Sequence, residues 1–463
     1  MKIIVIGAGK VGFNVARSLS EEQHDVIVID KDAEALSTVT DRLDVLTVVG
    51  NGASAKLLEE IGIRTVDILI AVTENDELNM IACMIAKRCG VPKTVARVRN
   101  ADYTSPHPLL LSYGEYGIDM IINPEHLAAQ EIFRLIEVPM ATDMEYFLAG
   151  KLSLIGIKVE ERLDIAGKTI SELNLSKLTI VALIRNGEAI IPNGNTRLLP
   201  KDKIFVLGRT GGFQNLNGLM KKKLSSLRRI VIAGSNLIAQ YLLHLLHNKK
   251  HVPEIRVIGS DAKLLRSLAQ TYPKCDFINA DPTKMEVLEE EKLGPEDIFI
   301  SLLGSENANL VACLLAHKLG VQEIICEIGR EDYIPLAEMI GITATVTPRL
   351  LTANTVLKLV RGANVVSINV LDTGDAEVIE LIAGKNSLAT AAPLKDLVMP
   401  KAMVIGAAVH RDELIVPRGN TIIQPGDHVF VFALRQAIPA VERYFSSSDT
   451  ADAGVDTDAE AQS

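Results

Sequence analysis

The sequence predicts an α/β fold of two tandem modules, each a doubly wound parallel sheet followed by a small α+β domain. Three observations carry that prediction. The chain opens on an apolar strand that runs into a glycine-rich turn, a helix, and a second strand ending in an acid. Short apolar runs then alternate with helical periodicity, as in a parallel sheet covered on both faces. The whole arrangement recurs about 225 residues later.

The opening elements are residues 2–30. Strand Ile3–Ile6 leads into Gly7-x-Gly9-x-x-Gly12; Val11, Val15, Ala16 and Leu19 then share one helical face, and strand Val26–Ile29 ends in Asp30. This is the dinucleotide fingerprint in its full strand–turn–helix–strand context, which makes the sheet Rossmann-like. Gly7 permits the tight turn, Gly9 lets backbone N–H groups approach a pyrophosphate, and Gly12 lets the helix pack on the strand. The helix N-terminus supplies free N–H donors and a positive dipole end. Asp30 is placed to accept hydrogen bonds from the ribose hydroxyls. Its charge would repel a 2′-phosphate, so NAD(H) is expected over NADP(H).

The next elements follow in order. They are strand Val45–Val49, a Gly50-Asn-Gly52 turn, strand Ile68–Val72, a helix over 75–89, strand Thr94–Val98 and strand Met120–Ile122. The helix carries Leu78, Ile81, Ala82, Ile85 and Ala86 at i, i+3, i+4, i+7 and i+8. Pro124 opens a helical stretch to about Glu137, with Pro139 as its breaker. Over about 143–217 the pattern changes to strands Lys151–Val159, Ile180–Arg185, Glu188–Ile191 and Lys203–Leu207. Arg185-Asn-Gly187 reads as a hairpin turn between two of them.

The repeat is visible residue by residue. Ile191-Pro-Asn-Gly-Asn-Thr196 matches Val416-Pro-Arg-Gly-Asn-Thr421, and Pro200-Lys-Asp202 matches Pro425-Gly-Asp427. Ile4–Ile6 matches Ile230–Ile232, Ala82-Cys83 matches Ala312-Cys313, and Gly117-Ile118 with Pro124 matches Gly341-Ile342 with Pro348.

Composition narrows the function. The 463 residues are 48% hydrophobic and only 4% aromatic, with no Trp, and the mean hydropathy is +0.22. That aliphatic excess is what buried parallel strands require. No apolar run reaches the length of a membrane span, and the N-terminus has no basic, apolar leader, so neither a span nor an export signal is expected. The five cysteines form no CxxC pair, and most of them read as small buried apolar residues of a reducing compartment. A net charge of −10 without a basic stripe argues against nucleic acid. Lys221–Lys223 with Arg228-Arg229 reads as a solvated connector, and the acidic stretch from Ser446 onward as a disordered tail.

A doubly wound nucleotide domain, a crossover helix, and a small β-rich domain with I-x-P-x-G-N-T…P-x-D resemble the regulator-of-potassium-conductance (RCK, or KTN) module. Two such modules in tandem resemble the peripheral NAD-binding regulatory subunits of Trk potassium-uptake systems. The resemblance covers residues 1–446. It rests on Gly7–Gly12, Asp30, Gly50–Gly52, Ala71-Val-Thr-Glu-Asn-Asp76, Val95-Ala-Arg-Val-Arg99 and the Pro192 and Pro417 motifs. It implies RCK N-domains at 1–125 and 228–348, the second degenerate, a crossover helix and linker at 126–142, RCK C-domains at 143–217 and 363–446, and an acidic tail at 447–463. It also implies a cytoplasmic regulator that binds NAD⁺/NADH or ATP/ADP, forms a dimer or tetramer, and docks on a membrane potassium-transporting subunit. Occupancy would shift the assembly between conformations and so change transport.

Carried onto this chain, the site is Gly7, Gly9, Lys10, Val11 and Gly12 at the pyrophosphate and Asp30 at the ribose. Asn51 and Gly52 stand in the next strand-end turn, Thr73 and Glu74 end the following strand, and Arg97 lies one strand further, to meet a phosphate or stack on adenine. The second module departs from this. Gly7, Gly9 and Gly12 are aligned with Ala233, Ser235 and Ile238, the last of which would push helix from strand. The ribose acid falls at Gly259 or Ser260, and Arg97 at Glu327. One competent site per chain is expected.

Other constellations read as bland. His244, His247 and His251 at helical spacing lack an acid or Cys to complete a metal set, and Glu289–Glu291 reads as a solvated helix end. Asp372, Asp375 and Glu377 form a weak divalent-cation candidate. No metal site is expected. Walker, GxSxG and HExxH motifs are absent, so no enzyme is expected. An NAD-dependent oxidoreductase, or an RCK-type sensor of another cation channel or antiporter, are the alternatives.

Overall fold

The computed structural model describes residues 1–100, 103, 114, 116–137, 141–147, 151–161, 163–173, 175, 178–186, 188–190, 192–209, 229–249, 253–360, 365–370, 376–400, 402–411, 413–415 and 417–447. The Lys221–Lys223 connector, Gly187, His251, Asp372, Asp375 and the tail from Asp449 lie outside them. The chain divides into two compact units. One joins Met1–Glu137 to Leu227–Val360, the other Val138–Ser226 to Arg361–Ser463.

The first unit holds two six-stranded parallel sheets of identical order. In the first sheet, β1 (Lys2–Ile6), β2 (Asp25–Asp30), β3 (Leu46–Val49), β4 (Ile68–Ala71), β5 (Lys93–Arg97) and β6 (Met120–Ile122) stand in the order 3-2-1-4-5-6. The order reverses between β1 and β4, and ligands of open α/β sheets lie at the carboxyl edge of that point. Helix α1 (Lys10–Glu21) follows β1. Two short helices, α2 (Ala33–Thr40) and α3 (Ala55–Glu60), flank β3. Helix α4 (Asp76–Arg88) is capped by Asn75, whose side chain accepts the Leu78 N–H, with acids in its first turn and bases in its last. Helix α5 (Pro124–Glu137) starts on Pro124.

The second sheet repeats this with β12 (Arg229–Ala233), β13 (Glu254–Gly259), β14 (Asp276–Asn279), β15 (Asp297–Ser301), β16 (Glu323–Glu327) and β17 (Ala344–Val346). Its helices are α6 (Leu237–His247), α7 (Ala262–Thr271), α8 (Met285–Glu290), α9 (Glu306–Lys318), α10 (Ile334–Met339) and α11 (Pro348–Val360). The long helix that closes each module packs on the other module. Helix α5 lies on α6, and α11 lies on α1. Ala353, Val356, Leu357 and Val360 of α11 share one buried core with Val5, Val15, Ala16, Leu19 and Val28 of the first module. At the α5–α6 contact Tyr241 Oη donates to Arg99 O and accepts from Asn123 Nδ2, both at 2.9 Å, while the His126 ring lies tilted by 32° against its ring at 5.2 Å.

The second unit holds two five-stranded antiparallel sheets. One comprises β7 (Ala141–Phe147), β8 (Leu152–Lys158), β9 (Leu178–Arg185), β10 (Glu188–Ile190) and β11 (Lys203–Arg209) in the order 10-9-11-8-7. The other comprises β18 (Val365–Val370), β19 (Ala376–Ile382), β20 (Met403–His410), β21 (Glu413–Ile415) and β22 (His428–Leu434), followed by α12 (Ile438–Phe445). The hairpin at Arg185 forms as the sequence indicates, with Asn186 at φ +52°. The two sheets bury a shared core in which Phe147 meets Phe430 edge-on at 5.0 Å. The P-x-D motifs place buried Asp202 against Arg185 and buried Asp427 against His410.

The repeat needs one correction. Gly234, not Ala233, occupies the Gly7 position. Each takes a positive φ (+110° and +114°) and donates its N–H to the end of the neighbouring strand, to Ile29 O and Ile258 O, at 2.8 Å. Gly9 therefore matches Asn236, the residue before α6, and Gly12 matches Ala239, which is fully buried. The small alanine lets α6 sit close to its strand, so Ile238 pushes nothing apart. Glu291 also departs from expectation: it is partly buried and pairs with Arg256 rather than ending a solvated run.

Candidate functional site

The carboxyl edges of the two parallel sheets line one cavity of about 1510 Å³ in the first unit. Of the predicted site residues, all but Gly12 line it. Gly12 acts behind the wall: a Cβ there would fall 1.8 Å from Gly7 O. Gly9 precedes the first turn of α1 with no side-chain cap, and nothing stands within 4 Å of where its Cβ would be. This helix end is left without a capping side chain, the setting in which helix N-termini accept anions.

Asp30 is held beside this mouth. Its Oδ2 accepts the Ala8 N–H at 2.6 Å and its Oδ1 the Asp32 N–H at 3.0 Å. Asn51 Oδ1 accepts the Ala53 N–H, which fixes the turn after β3. Gly52 is there because any Cβ would strike Ile6 Cγ2 at 2.2 Å. Thr73 donates both its N–H and its hydroxyl to Asn79 Oδ1, at 3.0 and 2.7 Å. Asn79, fully buried, donates in turn to Thr73 O and Arg97 O, and so ties the ends of β4 and β5 together. Glu74 gives its carbonyl to Arg99. Arg97 is only 8% exposed and pairs through Nη2 with Glu125 Oε1 at 3.0 Å. The surface ion pair that is the usual fate of a strand-end arginine is here a buried one.

The second module lines the opposite wall, and there the corresponding mouth is filled from within. Asn236 Oδ1 caps the Ala239 N–H at 3.1 Å, and Asn236 Nδ2 donates to Glu327 Oε2 at 3.1 Å. A carboxylate and an amide thus stand where the first module is open. Gly259 sits at the Asp30 position: it passes its carbonyl to Ala280 as Asp30 does to Gly50. Burial pushes the Glu327 carboxyl up. Glu125 and Glu306 push the same way, against the Asn236 hydrogen bond and Arg349.

Sequence reasoning missed Asn79, Glu125 and most of the second wall, chiefly Glu306, Arg330, Tyr333 and Arg349. Glu125 and Arg349 carried one readable signal. Each follows a proline that starts a helix directly after the last strand of a sheet, which puts it in a first turn at the carboxyl edge. Among the described residues no group of three His, Cys, Asp or Glu side chains could hold a metal.

Two parallel dinucleotide-type sheets facing one cleft, each trailed by a small antiparallel domain, define a tandem protein of the RCK type. The TrkA-N domain family matches residues 3–124 and 230–348, and the TrkA-C domain family residues 154–220 and 378–446. The Trk system potassium uptake protein TrkA homolog 1 of Methanosarcina mazei is 35% identical over 454 residues, 96% of this chain and 100% of the relative. The Trk system potassium uptake protein TrkA of Azorhizobium caulinodans is 31% identical over 97% of this chain and 99% of its own length. This chain belongs to the TrkA family. At the level of fold it is similar to the crystal structure of the GsuK RCK domain (TM-score 0.60, 16% identity, 96% of this chain and 94% of that one) and to the GsuK channel bound to NAD (TM-score 0.61, 16% identity, 96% and 78%).

Proposed function

We propose that this chain is a nucleotide-sensing regulatory subunit of a potassium-uptake transporter. It binds one NAD⁺ or NADH, or ATP or ADP, per chain in the first module, and it catalyses no reaction. The observation that carries this reading is the contrast between two equivalent helix N-termini. That of α1 is open, with Asp30 beside it, whereas that of α6 is capped by Asn236 and blocked by Glu327. The pyrophosphate lies against Gly7, Gly9, Lys10 and Val11 with Gly12 behind them, and the ribose hydroxyls lie on Asp30. Asn51, Gly52, Thr73, Glu74 and Arg97 form the rest of the wall. Occupancy biases the unit between conformations by differential affinity alone.

The chain acts at the cytoplasmic face of the membrane through its transporter partner. No helix among the described residues is long and apolar enough to cross a membrane. It assembles with copies of itself. Ile81 and Met84 on α4, and Val311 and Leu314 at the same positions on α9, leave an apolar face exposed on each module.

Isothermal titration of NAD⁺, NADH, ATP and ADP into the full chain, alongside Asp30→Ala, tests the reading. One saturable site per chain, weakened by the substitution and without cofactor turnover, is the expected result. Two equal sites, or no binding, would overturn it.

A further inference from the structure

Arg97 is more than nine-tenths buried, yet its guanidinium is only half used. Nη2 donates to Glu125 Oε1 at 3.0 Å, while Arg97 Nε and Glu125 Oε2 are both buried and meet no hydrogen-bond partner. Arginine–carboxylate pairs frequently close as a two-bond fork. This one leaves a donor and an acceptor unmet at the wall of the nucleotide cavity.

The facing module presents the same two positions with the charges exchanged. Glu327 ends β16 as Arg97 ends β5: each passes its carbonyl to a buried asparagine, Asn309 or Asn79. Arg349 follows Pro348 as Glu125 follows Pro124. Arg349 Nη2 stands 3.7 Å from Glu306 Oε1, outside hydrogen-bond reach. Glu125 and Arg349 both act through space on Glu327 and line the same cavity.

We propose that Glu125 is an internal competitor for the nucleotide at Arg97, and that Arg349 receives Glu125 when the nucleotide displaces it. A phosphate offers Arg97 the fork that Glu125 leaves incomplete. The freed carboxylate turns to Arg349. An ion pair inside one module becomes an ion pair between two modules, so occupancy of the first site draws the halves of the unit together. This rests on the nucleotide reading above and names the switch within it.

The test is titration of ADP into the full chain and into Arg349→Met, Glu125→Gln and the double variant. Arg349→Met is expected to weaken ADP about tenfold, because the displaced carboxylate has lost its partner, and adding Glu125→Gln is expected to restore the affinity. A direct contact between Arg349 and the phosphate predicts instead that the loss persists in both backgrounds, and that result overturns the proposal. So does an Arg349→Met protein that binds as the native chain does. Matching melting temperatures of the empty variants exclude lost folding, and Arg349→Gln replaces the methionine variant if that one melts early. If the native chain binds no ADP or NAD, the functional reading itself fails. If it binds and no rescue occurs, only the Glu125 switch fails.

Discussion

Gly9 and Asn236 hold the same place in the two modules and do opposite things there. Each is the residue before the first turn of the helix after the first strand. Gly9 presents no side chain, and the helix behind it stays open. Asn236 uses its amide twice, to cap its own helix and to hold Glu327.

Gly9 and Gly12 are expected to fail differently. Gly9 has an ordinary negative φ and empty space around it, so Gly9→Ala should cost within about 1 kcal/mol of stability. It should nonetheless weaken nucleotide binding, because a methyl group enters the phosphate approach. Gly12→Val drives a side chain into Gly7 O and should cost about 3 kcal/mol or more. Melting curves paired with NAD titration separate the two, and a Gly9→Ala protein that binds normally would place the phosphate elsewhere.

Glu327 predicts a pH dependence. Burial raises its carboxyl in the folded protein above the ordinary glutamate value. The folded state therefore holds a proton that the unfolded chain gives up. That stabilisation is present below the ordinary glutamate range and is lost as pH rises through the raised value. Glu327→Gln should remove this dependence and be the more stable protein at neutral pH. Melting temperatures of both proteins from acid to neutral pH check it, and parallel curves would refute it.

His126 predicts the reverse dependence at the α5–α6 contact. Burial first, and the charge of His244 second, depress its imidazole below the usual 6.5. The unfolded chain then takes up the proton first. The contact keeps its stability above the ordinary histidine value and loses it as pH falls below that value. His126→Gln should flatten that decline, which is readable by hydrogen exchange along α5.

Arg229 and Asp297 form a buried pair at 2.9 Å, with exposures of 2% and 0%. Arg229 also serves Glu291 O and Lys292 O. Arg229→Ala strands the carboxylate and should cost about 3–5 kcal/mol, whereas replacing both partners with apolar residues should cost much less. Chemical denaturation of the single and double variants decides it.

The first module was legible because its glycines, strand ends and helix periodicity all agree. Other features were not. The second module keeps one glycine of three, and a lone glycine does not fix its own register; only the N–H bond of Gly234 to Ile258 does. Strand Ala141–Phe147 was hidden in part by a register shift between Ala141 and Asp143, which breaks the two-residue alternation at its start. Helix α2 buries only Leu36 and Val39, too little periodicity to read, and its clearest signal is the Asp32 cap. The pairing of Arg97 with Glu125, and the wall that carries Arg349, depend on tertiary placement that local pattern does not encode.

Because α11 completes the core around α1 while α5 seats on α6, neither half is a finished object. Two identical half-chains joined this way would be bound by their two-fold axis to repeat every residue, so that an open pocket on one side would require an open pocket on the other. Covalent fusion lifts that requirement. It lets a single molecule set an uncapped helix end opposite a capped one, and a glutamate opposite an arginine. The two sides of the cleft are thereby freed from matching, and each can carry a chemistry that its opposite lacks.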